Sequence, residues 1–144
     1  MPITHTYHDP KTGVDLIIEE GEGNGAYGAG YRELTYKLAH NLENPTIGFS
    51  CFTPMGGCKQ AILSHNSSIY SRYRGNGFGG ACLRARMKIF KDAYAEVMYC
   101  TVNSNNAAEL HLLRSHGFTQ TFSWHSRYEN GSAVLMFCKN LNEV

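Results

Sequence analysis

Residues 71–80, SRYRGNGFGG, are the stretch of this chain best suited to binding an anion. Four glycines stand within positions 75–80, and a backbone without side chains lets N–H groups come close to a ligand. Residues 67–73 suit a strand, and residues 79–95 carry apolar side chains at helical spacing. A strand, a glycine loop and a helix in this order predict a phosphate-binding site, because the first N–H groups of a helix have no partner within it.

Two stretches match the pattern G-x-G-x-x-G, at residues 23–28 and 75–80. A dinucleotide site adds an acidic residue about 20 positions further on, at the end of the next strand. The strand after the first match has no acid, and after the second match Glu96 begins the strand while Asn103 ends it. Neither stretch has the Gly-Lys-Ser/Thr of a triphosphate loop. A nucleotide-binding interaction domain built on residues 23–28 therefore stays only as a third hypothesis.

The composition indicates a single domain of 144 residues with a formal net charge of +1. This balance argues against nucleic acid or a membrane as partner, since such binders cluster excess Lys and Arg. No apolar run reaches the roughly 18 residues of a membrane helix, and residues 1–10 do not resemble a signal peptide. We therefore expect a soluble, cytoplasmic protein. Five cysteines without a C-x-x-C pair favour reduced thiols and predict no metal site.

The order of predicted elements indicates an α/β (α+β) sheet with packed helices. Turn residues and alternating patterns predict strands at Ile3–His8 and at residues 14–19, 46–53, 58–65, 97–102, 118–126 and 133–139. Helical spacing predicts helices at residues 31–42, at residues 79–95 and at Ala107–Ser115.

A longer pattern surrounds the second glycine stretch. Residues 74–79, RGNGFG, resemble the Arg/Gln-x-x-Gly-x-Gly signature of the GNAT superfamily of N-acetyltransferases, with the apolar Ile69 five residues before the Arg. The family's apolar strand, Asn and Gly-Phe have counterparts in residues 97–102, Asn106 and residues 117–118. The resemblance covers about residues 66–118. It implies a mixed, mostly antiparallel sheet with two parallel central strands that splay apart and helices on both faces.

The resemblance implies acetyl-coenzyme A as co-substrate and no metal. Carried over by position, the cofactor-binding residues are Ile69, Tyr70, Ser71, Arg74, Gly75, Asn76, Gly77, Phe78, Gly79, Gly80 and Asn106. Ser71 stands where many relatives have Pro. Arg74 either adds charge at the phosphates or fixes the loop by hydrogen bonds, and Asn106 either lies near the cofactor arm or caps the next helix.

A base must deprotonate an amine before it attacks a thioester, and His65 is our candidate. It lies nine residues before Arg74, where the arylalkylamine branch of the family carries a His on the same strand. The alternative is a hairpin-end His without a catalytic task. Glu19, Glu20 and Glu96 are weaker candidates for the base.

The family's usual acid is a Tyr five residues before the Gly-Phe phenylalanine, and this chain has Leu113 there. Tyr128 is our candidate for the acid, with His111, Tyr70 and water as alternatives. The activity that the resemblance implies is acetyl transfer to a primary amine of a small molecule, peptide or protein. Because of Leu113, a non-catalytic acyl-coenzyme A sensor or interaction module remains the alternative. The acceptor is not predicted, and monomer and homodimer both stay open.

Overall fold

The computed structural model describes residues 3–28, 30–41, 43–55, 58–125 and 132–143. Eight strands form one sheet in the order β1-β2-β3-β4-β5-β6-β8-β7. The strands are β1 (Ile3–His8), β2 (Asp15–Glu22), β3 (Arg32–Leu38), β4 (Thr46–Met55), β5 (Cys58–Ile69), β6 (Val97–Asn103), β7 (Thr119–His125) and β8 (Ala133–Asn140). The helices are α1 (Phe78–Asp92) and α2 (Ala107–Ser115), with short 3-10 turns at Ser71–Tyr73 and Leu141–Glu143.

Strands β5 and β6 are a parallel pair in a sheet whose other neighbouring strands pair antiparallel. The predicted class, a mixed and mostly antiparallel sheet with parallel central strands, is confirmed. The two hairpins of the first half and helix α2 also agree with the sequence analysis. Within the described ranges, no helix combines the length and apolar character that crossing a membrane requires.

The helix predicted over residues 31–42 is wrong, because this segment forms β3 between β2 and β4. Leu34 and Tyr36 are both fully buried, and Thr35 between them is only half-buried, which is the alternation of a strand. Leu34 and Leu38 are four residues apart, a spacing that also fits period two. Pairing with strands on both sides therefore overrides the helical pattern.

Helices α1 and α2 lie together on the sheet face that carries the main core, so the expectation of helices on both faces is not met by the two helices of the described ranges. The ring of Phe90 on α1 lies 4.9 Å from that of Phe52 on β4, and Leu113 on α2 is fully buried in the same core. The two helices meet where Arg84 on α1 donates from Nη1 to Nε2 of His116, 2.9 Å away, at the end of α2. Burial lowers the pKa of His116, which favours the neutral ring that this bond requires.

An ion pair attaches the β1–β2 turn to α1. Asp9 is fully buried, and Arg84 donates to its two carboxylate oxygens from Nε at 2.7 Å and Nη2 at 2.8 Å. The backbone and hydroxyl of Thr12 also donate to this carboxylate. These bonds, with that from Arg84 foremost, hold the pKa of Asp9 well below its usual range. Arg84 thus joins the N-terminal hairpin, α1 and the end of α2.

We expect Asp9→Asn to lower the free energy of unfolding by roughly 3 kcal/mol, because it leaves Arg84 without its carboxylate. Urea unfolding measures this loss. A carboxyl with a depressed folded-state pKa stabilises above its unfolded-state pKa of about 3.9 and loses that contribution as the pH falls. The free energies of unfolding of wild type and Asp9→Asn should therefore approach each other as the pH falls towards 2.

The control for this variant is Asp15→Asn, since Asp15 lies in exposed pairs with His8 and His40. It should change stability much less than Asp9→Asn does, because exposed ion pairs contribute little. Equal losses in both variants, or a difference from wild type that is independent of pH, would contradict the assignment to Asp9.

Candidate functional site

Strands β5 and β6 separate halfway along their length. Their parallel register runs from Ala61↔Val97 to Ser64↔Cys100, although β5 continues to Ile69. At this point the pairing of β5 with β4 shifts from Cys51↔His65 to Phe49↔Ser68, which inserts one extra residue in β5. Asn66 lies there with a left-handed φ of 51°, a conformation that Asn tolerates better than most residues. This β-bulge turns the end of β5 away from β6.

Two neighbouring cavities lie where the strands separate. A groove of about 500 Å³ follows the free edge of β5 and the glycine loop, and it extends to α2. An opening of about 250 Å³ lies between the separated strands. Ser67, Asn106 and Glu109 line both spaces. A ligand extended along the groove therefore has its end at the strand opening.

The glycine loop is shaped for an anion. Gly75 and Gly77 have φ values of 81° and 78°, which disfavour any other residue. Gly77 is the N-cap of α1, and the first bond of the helix runs from the N–H of Ala81 to the Gly77 carbonyl at 3.2 Å. The N–H groups of residues 78–80 precede this bond and point out of the helix end.

Side chains hold the loop in place. Arg74 donates from Nε to the Ile69 carbonyl at 2.8 Å. The amide of Asn76 donates to the carbonyls of Tyr73 and Arg74 at 3.2 and 3.3 Å. Arg74 thus has the loop-fixing geometry that the sequence left open, and it also lines the groove.

Most of the residues predicted to bind a cofactor lie along the groove. They are Ile69, Arg74, Gly75, Gly77, Phe78, Gly79, Gly80 and Asn106. Tyr70, Ser71 and Asn76 are not among its lining residues. Ser71 begins a 3-10 turn, so β5 ends before it. Asn106 caps α2 by accepting from the Glu109 N–H at 3.2 Å and lines both cavities, so its two predicted roles are compatible.

His65 lies at the strand opening. Its Nδ1 donates to Oδ1 of Asn66 at 2.6 Å, and Nε2 lies 3.3 Å from the hydroxyl of Thr53. With Nδ1 protonated, Nε2 accepts from Thr53 and keeps the lone pair that a base needs. The ring of Tyr31 meets the imidazole edge-on at 5.8 Å between centroids. Tyr128 lies outside the described residues, so its distance from His65 is not defined.

The weaker candidates for the base are placed elsewhere. Glu19 forms an ion pair with Lys37 at 2.6 Å. Glu20 contacts both His5 and Arg32, at 2.9 and 3.0 Å.

The Glu96 N–H bonds the Gln60 carbonyl at the end of the β5–β6 pair opposite to the opening.

Glu33 is an acid that sequence reasoning missed. The register places it opposite Cys51, and Cys51 opposite His65, so the three share one row on one face. Two strand spacings separate Glu33 from His65 by roughly 10 Å. The pattern that would have revealed it is the alternation of β3, which was interpreted as a helix.

The expected position of the acid is occupied by a core residue. Leu113 is fully buried and is not among the residues that line the groove. Among the alternatives, His111 lines the groove. The Tyr70 ring packs 6.4 Å from Phe49 instead.

Cys100 lies in the strand opening and is 4% exposed. Burial raises its pKa to about 12, so the sulfur stays a thiol at neutral pH. The opening thus offers no thiolate nucleophile at this position. The described ranges contain no group of three or more His, Cys, Asp or Glu side chains arranged to hold a metal ion.

The first glycine stretch forms the connection between β2 and β3. No helix follows it, since β3 begins at Arg32, so the helix end that a nucleotide phosphate would need is missing there. The N–H of Gly23 bonds the Tyr31 carbonyl at 3.0 Å, and the Tyr31 ring occupies the space of a Cβ at Gly23. The connection therefore packs Tyr31 beside His65.

Comparison with known proteins identifies the fold. The model of the acetyltransferase (GNAT) family matches residues 16–118. Ard1 from Thermoplasma volcanium is 16% identical, covers 75% of this chain and 69% of its own, and has a TM-score of 0.65. A GNAT family acetyltransferase from Elizabethkingia anophelis with acetyl-CoA bound is 15% identical, with coverages of 77% and 76% and a TM-score of 0.65.

A third similar structure is that of mutant forms of the spermidine/spermine N-acetyltransferase SpeG from Vibrio cholerae. It is 13% identical, covers 81% of this chain and 70% of its own, and has a TM-score of 0.67. No curated protein matches the chain by sequence.

Iodoacetamide at pH 8 should label the exposed Cys58 and leave Cys100 and Cys82 unmodified, because burial raises the pKa of both buried thiols to about 12. Peptide mass spectrometry measures the extent of labelling at each site. Unfolding in urea should make all three react. Labelling of Cys100 as fast as that of Cys58 in the folded protein would contradict the buried thiol at the opening.

Proposed function

Because the chain belongs to the GNAT family of acetyltransferases, we propose that it transfers acetyl from acetyl-coenzyme A directly to a primary amine. The observation that supports this proposal is that the groove at the glycine loop and the opening at His65 adjoin each other and share three lining residues. A long donor thus has an anion site at one end and a base at the other.

The groove fits the donor in shape and chemistry. The N–H groups of residues 78–80 and the positive end of α1 would hold the pyrophosphate. The edge of β5 at residues 67–69 is left free by β6 and offers backbone groups to the amide-bearing arm of the donor, as an added strand does. Asn106 lies at the passage to the strand opening.

The reaction forms a C–N bond and breaks a C–S bond, and acetyl-coenzyme A supplies the acyl group as a thioester. Nε2 of His65 accepts a proton from the amine once the amine has replaced the Thr53 hydroxyl as its hydrogen-bond partner. The departing sulfur needs one proton, and we assign Tyr128 to this task, with His111 in the groove and water as alternatives. The thiol state of Cys100 favours direct transfer over an acyl-enzyme.

The acceptor would enter beside Tyr31 and His65. Glu33 lies in the same row and attracts a cationic amine, since an acid within about 10 Å is only partly screened. SpeG of Vibrio cholerae is by name a spermidine/spermine N-acetyltransferase, which makes small amines one class to test.

A second candidate function is an acyl-coenzyme A binding module without turnover. The burial of Leu113 favours it, because the usual acid is replaced by a core side chain. Release of free thiol with a panel of amines and peptides decides between the two. Robust turnover by the wild type excludes the module.

Gly77→Glu should weaken coenzyme A binding by at least about tenfold, because it puts a side chain at positive φ and a negative charge at the anion site. Calorimetry with coenzyme A measures the Kd. The control is Gly25→Glu, at a glycine of the other glycine stretch with a similarly positive φ of 86°, and it should leave the Kd unchanged.

Absence of saturable binding by the wild type would remove the basis of the proposed function. An unchanged Kd in Gly77→Glu would show that the coenzyme A phosphates do not bind at the glycine loop.

His65→Ala should lower kcat/KM about 100-fold at neutral pH, because the acceptor is then mainly an ammonium that needs a base. The difference should shrink as the pH approaches the amine's own pKa, where the neutral amine needs no help. His40→Ala, at an exposed side chain outside both cavities, is the control. Identical pH profiles of wild type and His65→Ala would reject the base.

A further inference from the structure

Arg86 is a charged residue in the core of the molecule. It lies on the inner side of α1 among Cys82, Met87 and Phe90, and only 3% of its surface is exposed. Its Nη1 donates to the Ser50 hydroxyl at 2.6 Å and to the Tyr36 hydroxyl at 3.4 Å. Both partners are neutral. A serine hydroxyl carries no charge, and burial raises the pKa of Tyr36 to about 12.

Hydrogen bonds satisfy only part of this guanidinium. Within the described ranges Arg86 forms no ion pair, and its Nε is buried without a hydrogen-bond partner. An arginine does not lose its proton in a protein, and a buried charge that forms no ion pair is unfavourable. The Ser64 hydroxyl, on the neighbouring strand, is a second buried polar group without a partner.

Both unpartnered groups belong to residues that line the strand opening. The opening holds about 250 Å³, room for a small substrate group but not for a nucleotide. Glu109 lines it as well, and its charge acts on Arg86 without an ion pair between them.

A comparison with Arg84 indicates which ligand the unbonded nitrogens of Arg86 are suited to bind. Two residues earlier on the same helix, Arg84 uses Nε and Nη2 to hold both oxygens of the Asp9 carboxylate. In Arg86 the bonded nitrogen is Nη1, so the corresponding Nε–Nη2 edge has no acceptor within the described part of the chain. A planar carboxylate matches this edge with two parallel hydrogen bonds.

The phosphates of the donor are not the anion in question. Arg86 is eight residues beyond Phe78, which places it about 12 Å further along the helix axis than the glycine loop. The group bound here therefore belongs to the reacting end of the substrates.

We propose that Arg86 and Ser64 form a carboxylate-binding subsite at the strand opening, so that one of the two substrates carries a carboxylate close to its reacting atom. This inference rests on the proposed function and names its substrate class. The carboxylate belongs either to the acyl group of a dicarboxylic acyl-coenzyme A or to an amino-acid acceptor.

Two substrate series separate these sources. The first compares succinyl-coenzyme A with butyryl-coenzyme A, which has the same acyl chain length without the charge. The second compares amino acids with the amines that their decarboxylation gives, with acetyl-coenzyme A as donor. One series should show a preference in kcat/KM of at least tenfold for the carboxylated member. Equal kcat/KM values within both series would overturn the subsite.

Arg86→Met should abolish this preference, because kcat/KM falls at least tenfold more for the carboxylated member than for the uncharged one. Lys88→Met, at an exposed cation on the same helix, should leave the preference intact. Ser64→Ala should reduce the preference for the carboxylated member by a smaller factor. This variant still tests the subsite if Arg86→Met does not fold. Equal losses for charged and uncharged substrates in Arg86→Met would reduce Arg86 to a structural role.

A binding experiment tests the subsite independently of turnover. Succinate titrated into the wild type should shift one arginine Nε–H resonance in a saturable manner, and Arg86→Met should lack that resonance. If coenzyme A does not bind but succinate does, the proposed function fails and the subsite stands. If coenzyme A binds and succinate shifts no arginine resonance, the subsite fails alone, as it would if Glu109 turned to neutralise Arg86.

Discussion

The separation of β5 from β6 is the constraint on which the site depends. A parallel pair inside a sheet normally keeps its backbone groups bonded to each other, and here the bonding stops at Ser64 and Cys100. The cause is one additional residue in β5, accommodated by the left-handed Asn66. The free edge of β5, the passage to His65 and the exposure of Arg86 to the cavity all follow from this single bulge.

The glycine loop needs a second support, because four glycines leave it little stiffness of its own. Arg84 provides it by joining Asp9 and His116 across α1, one turn beyond the end of the loop. Thr12, in the same turn as Asp9, lies 3.4 Å from where a Cβ of Gly77 would be. The N-terminal hairpin therefore packs against the glycine loop, although the two are distant in sequence.

The sequence predicted those elements whose residues signal locally. The glycine loop, the helix at Ala107–Ser115 and the hairpins carry their turn and cap residues with them. The segment at residues 31–42 was misassigned because Leu34 and Leu38 fit both periods, and only its two neighbouring strands decide between them. The row of Glu33 and His65, and the cluster of Arg86, Ser50 and Tyr36, join elements that are distant in sequence. No local pattern encodes such contacts, so the glycine loop before a helix was predictable and the contacts around the strand opening were not.

Trp124 provides an intrinsic fluorescence signal from a single, defined place in the fold. It is the single tryptophan of the chain, and it stands on β7, where every residue is exposed. Its ring lies 5.8 Å from Phe122, and its register partner Val134 lines the strand opening. Its intrinsic fluorescence therefore reports on the edge of the sheet beside the strand opening rather than on the core.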